Sequence, residues 1–277
     1  MAEELIKYHV LRFEALRSDR YNFDNQWEEA ALRLLPAHRN TFQWYGANAI
    51  QQGQKNTEQM FDANAALALQ RFSAVMESLS TPQGAMWHRL VPANKRLRRD
   101  KRIRMWFDEV NELLFAYRYS KNAGFVGSSQ SELMSVGAYG NGTLFVDQPE
   151  DRPGLRYRNV HIGDAWFAEN HAGRVDTIYR ILKLTARQAV QEYGEGNLPV
   201  PIADASKQPG RENEKFEFLQ CVYPRTDWSP YRIDALGMRF ASLHIALNDK
   251  KVVREGGYNT LPFIVDRYTR NGDSNFF

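Results

Sequence analysis

Cysteine is all but missing from this chain of 277 residues. Cys221 stands alone, so no intramolecular disulfide can form and a reducing compartment is expected. Long apolar runs are missing too. No stretch approaches the roughly 20 apolar residues of a membrane span, so no membrane partner is expected. The opening MAEELIKYHVLRFEALRSDRYNF carries early acids, with neither an apolar core nor a small-residue cleavage site, and is not read as a secretory signal. Charge of one sign is not in excess. Lys and Arg number 36 against 33 Asp and Glu, a net +3, which excludes an affinity for polyanions spread over the whole surface.

Reactive motifs are equally scarce. The six histidines, His9, His38, His88, His161, His171 and His244, show no paired-ligand spacing such as H-x-x-x-H, so no metal ligand is assigned. There is no G-x-S-x-G nucleophile elbow. Gly137, Gly140 and Gly142 in GAYGNGTLFV come in the order helix, glycines, strand, whereas a phosphate-cradling loop follows a strand and opens a helix. They read as a helix stop and tight turn, and no cofactor-binding residue is assigned. Asp147, Glu150 and Asp151 lie among prolines and read as a solvated turn; His161 and Asp164 read as a strand end with its turn. No catalytic residue is assigned, and the chain is read as not an enzyme. A dispersed active site would require a deep polar pocket with perturbed titratable groups.

What the chain does have is apolar and aromatic material, 43% and 13%, in two different rhythms. The first half has helical spacing. One helix is predicted through Leu5, Tyr8, Leu11 and Leu16 to Ser18, and a second from an Asp24 cap through Trp27, Ala31 and Leu34 to Pro36. Residues 37–57 are amide-rich and read as a long loop. Asp62 then caps a helix with Ala65, Leu69, Phe72, Val75 or Met76, and Leu79 on its apolar side. A short strand is predicted over Met86–Val91, a helix with the stripe Ile103, Phe107, Val110, Leu114 and Tyr117, and another opened by a Ser129–Glu132 capping box. From Thr143 the rhythm changes to short β-branched and aromatic runs, with turns at AENHAGRV and LNDKK. One helix, ARQAVQEY, interrupts them between Thr185 and Gly194, and residues 195–214 read as a mobile loop. The fold class is α+β: mainly helical residues 1–142, then a β-rich, largely antiparallel region over 143–277. Five tryptophans, Trp27, Trp87, Trp106, Trp166 and Trp228, read as core; Trp44 and Tyr45, in a polar loop, read as partner-facing.

The net charge is concentrated in one place. Within KRLRRDKRIRMWF, residues 95–104 carry Lys95, Arg96, Arg98, Arg99, Lys101, Arg102 and Arg104 against Asp100 alone, +7 and −1 for +6. The rest of the chain therefore sums to −3. Three readings fit the run: a nonspecific nucleic-acid contact, an acidic protein partner, or a solvated helix face. It matches no groove-reading motif and carries no aromatic platform before Trp106.

Several segments in order resemble the head-to-tail connector, or portal, proteins of short-tailed bacteriophages. RYNFDNQWEEAALRLLP is similar to that family's opening helix, and MFDANAALALQRFSAVMESLSTPQGAMWHRL to its Ala-rich helix and following Trp strand. GAYGNGTLFVDQ resembles its Gly-rich strand entry, GRVDTIYRILKLTARQAVQEYG its Gly-x-Val-Asp strand and helix, and GYNTLPFIVDRYTRNGD its Pro-Phe strand. The resemblance implies a virion structural protein, made in the host cytoplasm and placed at the capsid vertex. Its subunits would close into a ring of about twelve around a channel. Implied partners are further copies of the chain, the capsid protein, double-stranded DNA bound without sequence preference and, if a clip is supplied, terminase and tail adaptor proteins. The chain stops at NGDSNFF, so it is expected to be the wing-like N-terminal part, without stem, clip or crown. The alternative is a freestanding nonspecific nucleic-acid-binding module that uses residues 95–104.

Overall fold

The computed structural model describes residues 2–38, 41–42, 62–149 and 153–269. Helix α1 (Ala2–Leu34) is followed by α2 (Asn64–Ser80), α3 (Lys101–Arg118) and α4 (Phe125–Tyr139). Eight strands come next: β1 (Asn141–Asp147), β2 (Arg156–Asn159), β3 (Ala165–Glu169), β4 (Val175–Thr185), β5 (Lys215–Pro224), β6 (Phe240–Ala246), β7 (Lys251–Tyr258) and β8 (Phe263–Arg267). Helices α5 (Ala186–Tyr193) and α6 (Val200–Lys207) lie between β4 and β5. The strands form two antiparallel sheets, ordered β2-β1-β8 and β3-β4-β5-β6-β7. The architecture is α+β, as the change of rhythm implied.

Two helices were expected where α1 runs unbroken for 33 residues, roughly 50 Å. Its inward stripe is Ile6, His9, Phe13, Leu16, Arg20, Asp24, Trp27 and Ala31, spaced by three and four. Three of these positions are polar yet buried: His9, Arg20 and Asp24. Two charges on the core side make the helix look interrupted, and Asp24 look like a cap. Instead Asp24 Oδ1 sits 2.8 Å from Arg20 Nε, one turn away on the same stripe. The Arg20 guanidinium also donates to the carbonyls of Ile162 (2.8 Å), Gly163 (3.0 Å) and Ala165. Those carbonyls belong to the 3-10 turn that carries the chain from β2 in one sheet to β3 in the other, and to the first residue of β3. The indole of Trp166 lies 4.0 Å from the guanidinium carbon.

Side chains alternate across the five-stranded sheet. Tyr179, Ile181, Leu219, Cys221, Leu243 and Ile245 pack with Ile6 and Phe13 of α1. Phe218, Ala246 and Val253 pack with Ala189, Tyr193 and Ile202 of α5 and α6. A third cluster joins the sheets to α1 through Trp27, Ala31, Phe145, Phe167, Ile178 and Val222. Helix α4 lies on β1, and a Cβ on Gly142 would come within 2.7 Å of Glu132 Cγ, so only glycine permits this approach.

Other local expectations are corrected by packing. Ser129 and Glu132 do not cap α4; both face inward, and the helix begins at Phe125 after left-handed Gly124 (φ 67°). Its end is as read, at left-handed Gly140 (φ 78°). On α2 the buried face is Leu69 and Ser73, because Gly137 lets α4 approach there, while Val75, Met76 and Leu79 are exposed. Thr185 and Gln188 form the capping box of α5, and Gly194 follows its end. Residues 195–214 are not simply a loop: they contain α6, whose prolines sit at its start and whose Ile202, Ala203 and Ala205 are buried. Most of 37–57, with Trp44 and Tyr45, lies outside the described residues.

Arg20→Met leaves Asp24 and three carbonyls without their donor, and is expected to cost roughly 3–5 kcal/mol in urea unfolding. Adding Asp24→Leu should return part of that loss; no recovery would mean that the pair is not the coupled unit described. A second expectation concerns pH. Burial, and then the Asp266 carboxylate of β8, raise the Glu132 pKa from 4.5 to about 8. The folded state keeps a proton that the unfolded chain releases, so stability falls as pH rises from about 4.5 through 8. Glu132→Gln should remove on the order of 2 kcal/mol of that fall, read as a flatter pH dependence of the urea midpoint.

Candidate functional site

The basic run occupies the turn before α3 and that helix's first turn. Residues Leu97–Arg99 form a 3-10 turn, entered where Asn94 Oδ1 accepts from the Arg96 N–H (2.9 Å). Asp100, the run's acid, is consumed by the backbone: its carboxylate accepts from the N–H groups of Arg102 (2.8 Å) and Ile103 (3.5 Å). A carboxylate at a helix N-terminus offsets the macrodipole that the flanking cations oppose. Lys95, Arg96, Arg98, Arg99, Lys101, Arg102 and Arg104 are all exposed, and none makes an ion pair among the described residues. Arg98 is the most constrained of them, with its Nε donating to the Pro92 carbonyl at 2.9 Å. The sequence stretch is thus a continuous, unneutralised cationic surface.

Its support is narrow. Between 83 and 122 only Pro92 and Asn111 are buried. The stripe Ile103, Phe107, Val110, Leu114 and Tyr117 is the inner side of α3, but each residue is only half-buried. Met105 and Trp106 point away from it; Trp106 is 57% exposed, so the core reading of that tryptophan is corrected, as it is for exposed Trp87 and Trp228. The strand expected over Met86–Val91 is an extended segment without a strand neighbour. Asn111 takes the neighbour's place, its side chain accepting from Leu90 N–H (2.6 Å) and donating to Leu90 C=O (3.0 Å). At the other end of α3, Arg118 stacks over Trp87 (4.8 Å) and Phe125 (5.6 Å) and reaches Tyr157 Oη (3.3 Å). Trp87 Nε1 donates to Tyr119 Oη (2.9 Å), whose hydroxyl donates to Thr81 C=O (2.9 Å). Asn111 and Arg118 went unread because an Asn inside a helix and an Arg at its end both read as solvated.

Elsewhere, folding brings together two histidines far apart in sequence. His161 Nδ1 accepts from Gly163 N–H (3.0 Å), which places its proton on Nε2, 3.2 Å from His38 Nδ1. Burial lowers both pKa values, that of His161 to about 3, so the pair is neutral at physiological pH. Asp164 of the same turn pairs with Lys183 at 3.0 Å. Asp147 is held by Arg156 and Arg158, while Glu150 and Asp151 lie outside the described residues. Among the described residues no group of three or more His, Cys, Asp or Glu side chains could hold a metal ion, and no helix is long and apolar enough to cross a membrane.

The described residues form an antiparallel α+β core that carries a cationic, lightly packed arm between residues 83 and 122. The chain belongs to the family of bacteriophage head to tail connecting proteins, whose family model matches residues 10–276. It is 24% identical over 275 residues to a "Probable portal protein" of Bordetella phage BPP-1, covering 98% of this chain and 48% of that protein. It is 21% identical over 275 residues to a "Portal protein" of Salmonella phage epsilon15, covering 99% of this chain and 48% of that protein. The chain therefore spans about half the length of the curated relatives it matches.

Asn111→Leu removes both partners of Leu90 while keeping the volume. It is expected to cost roughly 1–3 kcal/mol and to raise proteolysis between 83 and 100. Unchanged cleavage there would show that the arm is held by other contacts.

Proposed function

We propose that this chain acts as the wing-bearing part of a phage portal, a virion structural protein at the capsid vertex. The observation that carries this reading is the family match over residues 10–276, together with relatives named as portal proteins. In that role the chain is not an enzyme. It is made in the host cytoplasm, assembles with further copies into a ring of about twelve, and serves head assembly, DNA packaging and ejection, and tail attachment. Its partners are the capsid protein, double-stranded DNA and, if a clip is supplied, terminase and tail adaptor proteins. Residues 1–142 and 143–277 serve as the helical and β-rich parts of the wing. Exposed apolar side chains on α2 and on the arm, among them Leu67, Val75, Leu79 (75% exposed), Trp106 and Leu113, support this reading, since such surface is suited to neighbouring subunits.

The seven cations are assigned to a diffuse contact with packaged DNA. What supports this is their exposure and their lack of ion pairs among the described residues. Two measurements test the reading. Negative-stain microscopy at rising concentration should show rings, and a strict monomer throughout would contradict assembly by this chain. Replacing Lys95, Arg96, Arg98 and Arg99 with Gln should reduce the slope of log affinity against log salt on duplex DNA by roughly 3. An unchanged slope would remove the DNA contact and leave an acidic protein surface as the run's partner.

A further inference from the structure

Strand register places four polar side chains in one row across the five-stranded sheet, on its α5 side. Arg180 of β4 lies opposite Gln220 of β5, Gln220 opposite His244 of β6, and His244 opposite Arg254 of β7. This row lines a cleft of about 740 Å³ between the two sheets, with Phe145, Leu155, Leu182, Leu184 and Met238 as its apolar wall. Gln220 and His244 are buried, an unusual investment of polar groups in the middle of a sheet. Tyr193 Oη, from α5, lies 2.9 Å from His244 Nδ1.

The charges around the cleft are matched, with one exception. Asp147 is held by Arg156 and Arg158 (2.5 and 3.2 Å), Glu192 by Arg254 (3.0 Å), and Glu255 by Arg225 (3.6 Å). Asp164, whose charge also acts on Arg180, is held by Lys183. Among the described residues the Arg180 side chain has no hydrogen-bond partner and no carboxylate at ion-pair distance; it stacks on Phe145, 5.6 Å from the ring centroid. Arg158 stacks on the same ring at 5.0 Å, so two guanidinium groups converge on one aromatic side chain. Burial, and then the Arg158 charge, hold the Arg180 pKa down to about 10. Asp164 and Asp147 reach Arg180 only through longer-range attraction, each being paired with other cations, so a guanidinium partly removed from water is left with no carboxylate in contact and can take one.

We propose that this cleft docks an acidic, apolar-flanked peptide segment of a partner protein, with a carboxylate of that segment seated between Arg158 and Arg180. The apolar wall suits the flanking side chains. The other lining cations are already paired with Asp147, Glu192 and Glu255, so the one guanidinium left suits a single carboxylate and not a polyanion such as a DNA backbone. The inference does not rest on ring assembly, and it holds for the chain as a monomer.

The test uses a short fluorescein-labelled peptide with a single glutamate flanked by leucines and serines, read by anisotropy against the whole chain. Saturable binding is expected, weakened roughly tenfold or more when glutamine replaces glutamate in the peptide. Arg180→Met should weaken binding by a similar factor with an equal or higher melting temperature, because the unpaired guanidinium is removed. Leu182→Glu puts a carboxylate on the same strand face as Arg180 and should abolish binding in a folded protein, which keeps the test decisive if Arg180→Met does not fold. The proposal is overturned by absent saturation, by equal binding of the glutamine peptide, or by binding that survives both substitutions. Displacement of the peptide by short duplex DNA at matched phosphate concentration would give the cleft to nucleic acid and overturn it as well.

Discussion

A guanidinium taken out of water must be met by acceptors on every side, and Arg20 imposes that requirement on three parts of the chain at once. It binds Asp24 within α1, the carbonyls of Ile162, Gly163 and Ala165 in the turn between the sheets, and the face of Trp166 in β3. The turn is where the chain leaves the three-stranded sheet for the five-stranded one. Fixing it to the middle of α1 sets how the two sheets meet, and so sets the cleft whose wall is Phe145 on one side and β4 on the other. A buried ion pair of this kind adds little stability over apolar residues that replace both partners. What it supplies is a single arrangement: no shifted register of α1 offers the same acceptors.

The same residue explains the main failure in reading the fold from sequence. The stripe of α1 is regular, but Arg20 and Asp24 occupy two of its inward positions, and a charged residue at an inward position looks like a helix break. Only the tertiary partners reveal that it is core. Ser129 and Glu132 misled for a related reason, since a capping box and a buried polar pair share one spacing. Signals local to the backbone were legible. The Thr185–Gln188 box, the left-handed Gly140 and the change to strand rhythm near 141–143 are all as the residues implied. The polar row of Arg180, Gln220, His244 and Arg254 was not legible, because each member is one alternate position on a different strand and only register aligns them.

The basic segment was legible as chemistry but not as mechanics. Seven cations against one acid stand out in any reading of the sequence, and Asp100 proves to be spent on the helix N-terminus and not on its neighbours. What the residues did not disclose is how lightly the surrounding arm is attached. Asn111 bridging Leu90 holds the arm's own two parts together, and its hold on the core comes from Arg118 and Tyr119 near its base, which reach Phe125, Tyr157 and Thr81. The chain thus divides its labour: a keyed two-sheet core that fixes geometry, and an arm that can adjust to whatever it meets. For a protein whose family joins a phage head to its tail, a rigid frame with a compliant, cationic margin is a coherent design.

That division predicts a gradient of local stability, and amide hydrogen exchange followed by mass spectrometry reads it directly. Peptides from 4–34 in α1 and from β3 to β6 should exchange only through global unfolding, with a free energy of opening equal to that of the whole chain. Peptides from 86–118 should exchange through a separate opening of much lower free energy. Equal protection of the arm and the core would contradict the account, because the arm would then belong to the structure that Arg20 holds together.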